Sequence, residues 1–226
     1  MLEELREKLY RAEVALEKRG MCYPATAAIS AIDREAGLIV ITPPVGFCAE
    51  TPRAEEMLVV DLLDGRVAEG KGRPSADTAV HLHLYNLFPE LGAIVQLQSE
   101  NVLAWAQAGR ALPVYGAVHA SAFGGEVPCT RMPAETEAKD NGEIFLRAVE
   151  ETLRDKNREE IPAVLVCGWG AFVWGPTPEK AAENARALEV SAGAAWKMLA
   201  LEPEAKPVPR CFAEKFAARK PRGRRK

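Results

Sequence analysis

Long apolar runs are missing from this chain. No stretch approaches the ~18 consecutive apolar residues expected of a membrane-spanning helix, and the charged N-terminal segment lacks an apolar core followed by a cleavage site. Neither a membrane span nor a secretory leader is expected. Cysteine is sparse too. Five residues, an odd number at irregular spacing and without Cys-x-x-Cys, provide neither a disulfide framework nor a structural zinc site, so a reducing cytoplasm is the expected compartment. A formal net charge of −3 exerts no global pull on nucleic acid or on an anionic membrane. Histidine is limited to His81, His83 and His119, which leaves few places for imidazole chemistry. No internal repeat or low-complexity segment appears before the basic C-terminal end.

What is present suits one substantial core. The chain has 226 residues, of which 48% are hydrophobic and 27% charged, and it reads as a single domain over 1–208 followed by a basic tail over 209–226. Lys215, Arg219, Lys220, Arg222, Arg224, Arg225 and Lys226 crowd that tail beside Pro221 and Gly223, a composition that solvates rather than packs. Recognition of nucleic acid or an acidic partner through it is the lesser reading.

Leu2, Leu5, Leu9, Ala12 and Leu16 recur at helical spacing, which predicts an amphipathic helix over 2–19 stopped by Gly20. Residues 28–32 and 38–42 flank a polar turn and predict a hairpin, and 57–62 with 66–69 around Asp64-Gly65 predict a second. A helix over 77–88 ends at Pro89 and leads into the apolar strand that contains Gln96 and Gln98. Further helices are expected over 101–108, 141–154 and 179–201, the last opened by Thr177 or Pro178, and further strands over 114–118, 163–166 and 172–174. Strands interleaved with covering helices make a mixed α/β layer structure.

Several fragments in order carry a resemblance: Ser30-Ala31-Ile32-Asp33-Arg34-Glu35-Ala36-Gly37, Met57-Leu58-Val59-Val60-Asp61-Leu62, Pro74-Ser75-Ala76-Asp77-Thr78, Trp105-Ala106-Gln107-Ala108-Gly109, Val127-Pro128-Cys129-Thr130-Arg131, and Ile161-Pro162-Ala163-Val164-Leu165-Val166 running on to Phe172-Val173-Trp174-Gly175. In this arrangement the chain resembles the class II aldolase/adducin family, nearest to its L-ribulose-5-phosphate 4-epimerase branch. The resemblance implies a three-layer α/β/α sandwich around a central, largely antiparallel sheet, assembled as a homotetramer.

It also implies a set of site positions. The resembled enzymes hold a divalent metal on a His-x-His strand and on a third histidine before a glycine; the matching residues here are Gln96, Gln98 and Trp169. An amide oxygen is a weak donor to zinc or manganese, and an indole has only an N–H to offer. Asp77 is the acidic position that survives, and it is also placed to cap the helix that follows. Where the family carries a proton-transferring aspartate after His-Ala, this chain has Ser121 after His119-Ala120, and no tyrosine follows Lys215. The lysine and Pro-Ser-Gly turn of the phosphate pocket correspond to Ile41-Thr42-Pro43-Pro44-Val45-Gly46, and an asparagine of the preceding strand to Ala28.

The expectation from these substitutions is a catalytically silent or repurposed homologue with a binding or scaffolding role, needing no cofactor. The alternative is an active epimerase or aldolase with an unusual site and a zinc or manganese ion. Asp77, His119 and Ser121 are the residual catalytic candidates, and Phe47, Tyr115, Cys167, Trp169 and Phe172 are expected to line a small-molecule pocket in the old cleft. His81 and His83 lie two apart on a helix, diverge around it and cannot chelate together; His81 reads as a packed or hydrogen-bonded residue.

Overall fold

The structure is a computed structural model and describes residues 2–21, 28–43, 52–74, 77–134 and 145–217. Its frame is a sheet that the described residues build from seven strands: β1 (Ile29–Asp33), β2 (Leu38–Ile41), β3 (Leu58–Asp61), β4 (Val67–Glu69), β5 (Ala93–Leu97), β6 (Ala163–Val166) and β7 (Gly170–Gly175), in the order β4-β3-β2-β1-β5-β7-β6. Every ladder is antiparallel. Side chains alternate across the pleat, so each strand feeds two cores. Ile29, Ala31, Val40, Val59, Val95, Leu97, Leu165 and Val173 face one layer; Ile39, Ile41, Leu58, Val60, Ile94, Val164, Phe172 and Trp174 face the other.

Helices α1 (Glu3–Glu17), α3 (Glu100–Gln107) and α6 (Pro178–Leu201) cover the first face with Leu9, Leu16, Val102, Trp105, Ala185 and Leu188. Helices α2 (Thr78–Leu87) and α5 (Leu146–Leu153) cover the second with Val80, Leu84, Tyr85, Val149 and Leu153. The result is the three-layer sandwich expected from the resemblance. Full burial of a side chain such as Leu9 is worth roughly 1.5–3 kcal/mol, and its truncation to alanine costs about 2–5 kcal/mol once the cavity is included. Helix α6 starts as its sequence predicts: Pro178 occupies the first turn, and the Thr177 side chain accepts from the Lys180 N–H.

Two segments depart from expectation. Residues 114–118 do not form a strand: Leu112 makes an isolated bridge to Val127, and helix α4 (Ala117–Ala122) begins after an extended Gly116. Val114, Tyr115 and Val118 suggest a strand, but the alanines that follow favour helix more strongly. The tail read over 209–226 is helical in its first part, α7 (Arg210–Ala217), where Ala213 is buried against Val114 and Ala120 and Arg210 pairs with Glu214. Residues 218–226 lie outside the described residues.

Candidate functional site

The site positions converge where β5 ends beside the β6–β7 turn. Gln96 sits opposite Phe172 in the β5–β7 ladder and is buried on the α2 side of the sheet. Gln98 lies just past the strand, and its Nε2 donates to the Trp169 carbonyl at 3.0 Å. Trp169 packs its indole on Phe172 and Phe145, with centroids 5.1 and 5.4 Å apart. Gly170 allows this closeness, since a Cβ there would stand 2.6 Å from the Leu97 carbonyl oxygen. Gln96, Gln98, Trp169 and Phe172 are thus brought together as an aromatic and amide cluster.

Behind Gln96 runs a buried polar chain. His81 Nδ1 lies 2.7 Å from Ser30 Oγ, and that oxygen lies 2.9 Å from the Tyr85 hydroxyl. The His81 ring meets Phe172 edge-on at 5.9 Å. Burial pushes the His81 pKa down to about 4, against a smaller opposing effect from a hydrogen bond with Gln96, so the imidazole is neutral near pH 7. Burial likewise raises the Tyr85 phenol far above its ordinary range. Neither Ser30 nor Tyr85 is singled out by the sequence reading, although the four-residue spacing of His81 and Tyr85 on one helix face is a usable signal.

The residual candidates are placed apart. Asp77 precedes α2, but its side chain makes no capping bond, which corrects the expected role; its backbone carbonyl instead accepts from Val80 and His81. His119 is buried on α4, with Nε2 2.9 Å from the Gly125 carbonyl and its ring edge-on to Phe123. A carbonyl only accepts, so Nε2 carries the proton and Nδ1 keeps the lone pair. Burial holds the His119 pKa below its usual value. Ser121 lies two residues on along the same helix, and its exposed hydroxyl donates back to the Ala117 carbonyl at 2.8 Å. Two residues apart on a helix, the His119 and Ser121 side chains diverge and do not act on one another.

The residues read as a pocket fall on both faces of the sheet. Trp169 and Phe172 belong to the α2–α5 layer, and Tyr115 packs with the α1–α3–α6 layer. Phe47 lies outside the described residues. Cys167 follows β6, is buried, and donates its backbone N–H to Thr130 Oγ1 at 3.0 Å. Its neighbour Cys129 has a thiol pushed up to about 11, by burial first and then by Cys167, so it is no thiolate near neutrality. In the phosphate segment, Thr42 Oγ1 is committed to the sheet, accepting from the Ile29 N–H at 3.2 Å; residues 44–46 lie outside the described residues.

Residues 7–196 match the sequence profile described as the Class II Aldolase and Adducin N-terminal domain. The chain is 38% identical over 220 residues, 97% of its own length and 96% of theirs, to proteins named L-ribulose-5-phosphate 4-epimerase UlaF from Salmonella paratyphi B and Salmonella typhi. Among solved structures, an L-fuculose 1-phosphate aldolase superimposes with a TM-score of 0.80 at 19% identity, covering 95% of each chain. The L-fuculose-1-phosphate aldolase from Thermus thermophilus does so with a TM-score of 0.67 at 24% identity, over 89% of this chain and 99% of that one.

These relationships correct two expectations. Likeness to named epimerases over nearly the whole length contradicts the silent, scaffolding reading and favours the alternative, an active epimerase or aldolase. The family's chemistry depends on a divalent metal, so the same kinship contradicts the expectation that no cofactor is needed. The three positions that the resemblance assigns to the ion nevertheless do not fit it. Neutral amide oxygens such as those of Gln96 and Gln98 are weak donors to zinc or manganese, and the Trp169 indole has no lone pair to give. Among the described residues, no cluster of three or more His, Cys, Asp or Glu side chains has the placement to hold a metal ion.

Proposed function

The chain belongs to the class II aldolase and adducin family, and from that membership we propose that it is a working sugar-phosphate enzyme, a 4-epimerase of L-ribulose 5-phosphate. The observation that carries this reading is the 38% identity spread over 97% of the chain. Likeness of that extent takes in the sheet, both helical layers and the loops at the β5 end, rather than a motif grafted on an unrelated fold. The expected assembly is a homotetramer, with its thiols kept reduced in the cytoplasm.

The test is direct. Purified protein is given L-ribulose 5-phosphate with zinc, manganese or cobalt in turn, and inversion at C4 is followed by NMR. Turnover is expected with at least one ion; absence of conversion with all three overturns the proposal. Asp77 is the acidic position shared with the family, and Asp77→Asn is expected to lower kcat by at least about a hundredfold, the lower end of the range for loss of an acid–base group.

A further inference from the structure

Two thiols of the described residues, Cys129 and Cys167, take no part in the Gln96–Trp169 cluster. A parallel bridge sets Cys129 against Leu165. It is fastened by the Leu165 N–H, which donates to the Pro128 carbonyl at 2.8 Å, and by the Thr130 N–H, which donates to the Leu165 carbonyl at 2.9 Å. Cys167 stands two residues further along and donates its N–H to Thr130 Oγ1 at 3.0 Å. Bridge partners put their side chains on one side of a sheet, and so do residues two apart along a strand. Both thiols therefore face the layer of α3. Cys129 packs on the core cluster of that layer, and Cys167 Sγ lies 3.1 Å from where a Gly109 Cβ would stand, just past the end of the helix. Trp169 packs with the opposite layer.

The two thiols are close enough to sense each other: after burial, Cys167 is what raises the Cys129 pKa. Cys129 is partly exposed, which leaves the pair an approach from solvent. Such a pair selects its occupant by softness and by number. Thiolate sulfur favours soft cations. Zinc takes three or four protein ligands, and among the described residues no histidine, aspartate or glutamate joins the two thiols to make such a set. Monovalent copper is soft, has a filled d shell and is satisfied by two sulfurs. A direct S–S bond is the poorer outcome. Oxidation starts from thiolate, which burial suppresses here, and the two-residue offset sets the backbones farther apart than directly opposed cysteines would be. A cation instead drives off both protons itself.

We propose that Cys129 and Cys167 together bind one Cu(I) ion. Binding converts two thiols and Cu(I) into an anionic bis-thiolate complex and releases two protons, with no change of oxidation state. The site does not rest on the epimerase reading. Copper binding is measured without any sugar phosphate, so failure of this proposal and failure of the turnover assay are distinguishable.

The probe is Cu(I) itself, titrated anaerobically into the full chain in competition with the chromogenic chelator bicinchoninate. The chain should withdraw one copper from the chelator. Cys129→Ser should weaken its retention by at least about a hundredfold, since even the outer-shell partners of a metal are worth roughly 10–100-fold in affinity. Cys211→Ser, at an exposed thiol on α7, should leave retention unchanged. Copper K-edge absorption of the unaltered protein depends on no variant's folding and should show a first shell of two sulfurs. Failure of the chain to hold copper against bicinchoninate would overturn the proposal. Equal retention by Cys129→Ser, or a first shell that contains nitrogen or a third sulfur, would overturn it as well.

Discussion

His81 is sealed between Ser30, Phe172 and the floor of the sheet, where an imidazolium would have to shed its water without finding a carboxylate. Its folded-state pKa of about 4 lies below the 6.5 of an unconstrained histidine. Above pH 6.5 both folded and unfolded chains carry it neutral, and its contribution to stability is complete. As the pH falls from 6.5 toward 4, the unfolded chain takes up a proton that the folded chain refuses, and stability is lost across that window. The full loss is on the order of 3 kcal/mol. Urea unfolding at pH 7.5 and 4.5 should show it, and His81→Gln should flatten the dependence over that interval even if the variant is less stable throughout. An equal pH slope in the two proteins would remove His81 as its source. The sequence revealed part of this arrangement. A histidine on the apolar side of a helix is legible as packed, but Ser30 looks like any alternating strand residue until the β1–β5 register places it over α2.

Helix α3 is held at its N-terminus by a carboxylate from another helix. Glu189 on α6 accepts from Ser99 Oγ, from the Asn101 side chain and from the Asn101 and Val102 backbone N–H groups. A charge-assisted bond is worth about 1.5–3 kcal/mol, and these share one partly buried group, so Glu189→Ala should cost roughly 2–4 kcal/mol, read as a shift in the guanidinium midpoint. A shift under ~0.5 kcal/mol, the range of ordinary surface substitutions, would show the bonds to be replaced by water. In α1 the sign reverses. Glu13 is buried and its pKa is raised to about 8, by desolvation and then by Glu17. The folded chain therefore keeps a proton that the unfolded chain releases above about 4.5, and stability falls as pH rises from there to 8. Glu13→Gln should raise the Tm more at pH 8 than at pH 5; an equal gain at both would rule out ionisation as the cause. Elements with long periodic patterns, α1, α2, α6 and the central strands, were legible in the sequence. Helix α4 was not, because its six residues span too little to show a period, and the partner of Glu189 lies about ninety residues away along the chain.

At the scale of the molecule, the three-layer sandwich followed from fragments in order, while function did not follow from the altered positions. Gln96, Gln98 and Trp169 weigh heavily when each is judged by its donor atoms, yet they are a few positions in a chain that resembles named epimerases from end to end. The charge-rich C-terminus also holds an element that its composition hides. Its lysines and arginines obscured the apolar spacing of Ala213 and Phe216, which pack with Val208 against Val114 and Ala120. The Val208 N–H also donates to the Val114 carbonyl at 2.8 Å, which ties the approach to α7 to the segment leading into α4. Helix α7 thus packs against the segment around α4. Truncation after Pro209 should expose Ala120 and the Val114 side chain and lower stability by about 1–3 kcal/mol, the value of burying one or two small apolar side chains. Truncation after Ala217 should leave the Tm unchanged. If the two truncated chains melt together with the full-length protein, α7 contributes no cover and the domain ends at 208, as its charge pattern first suggested.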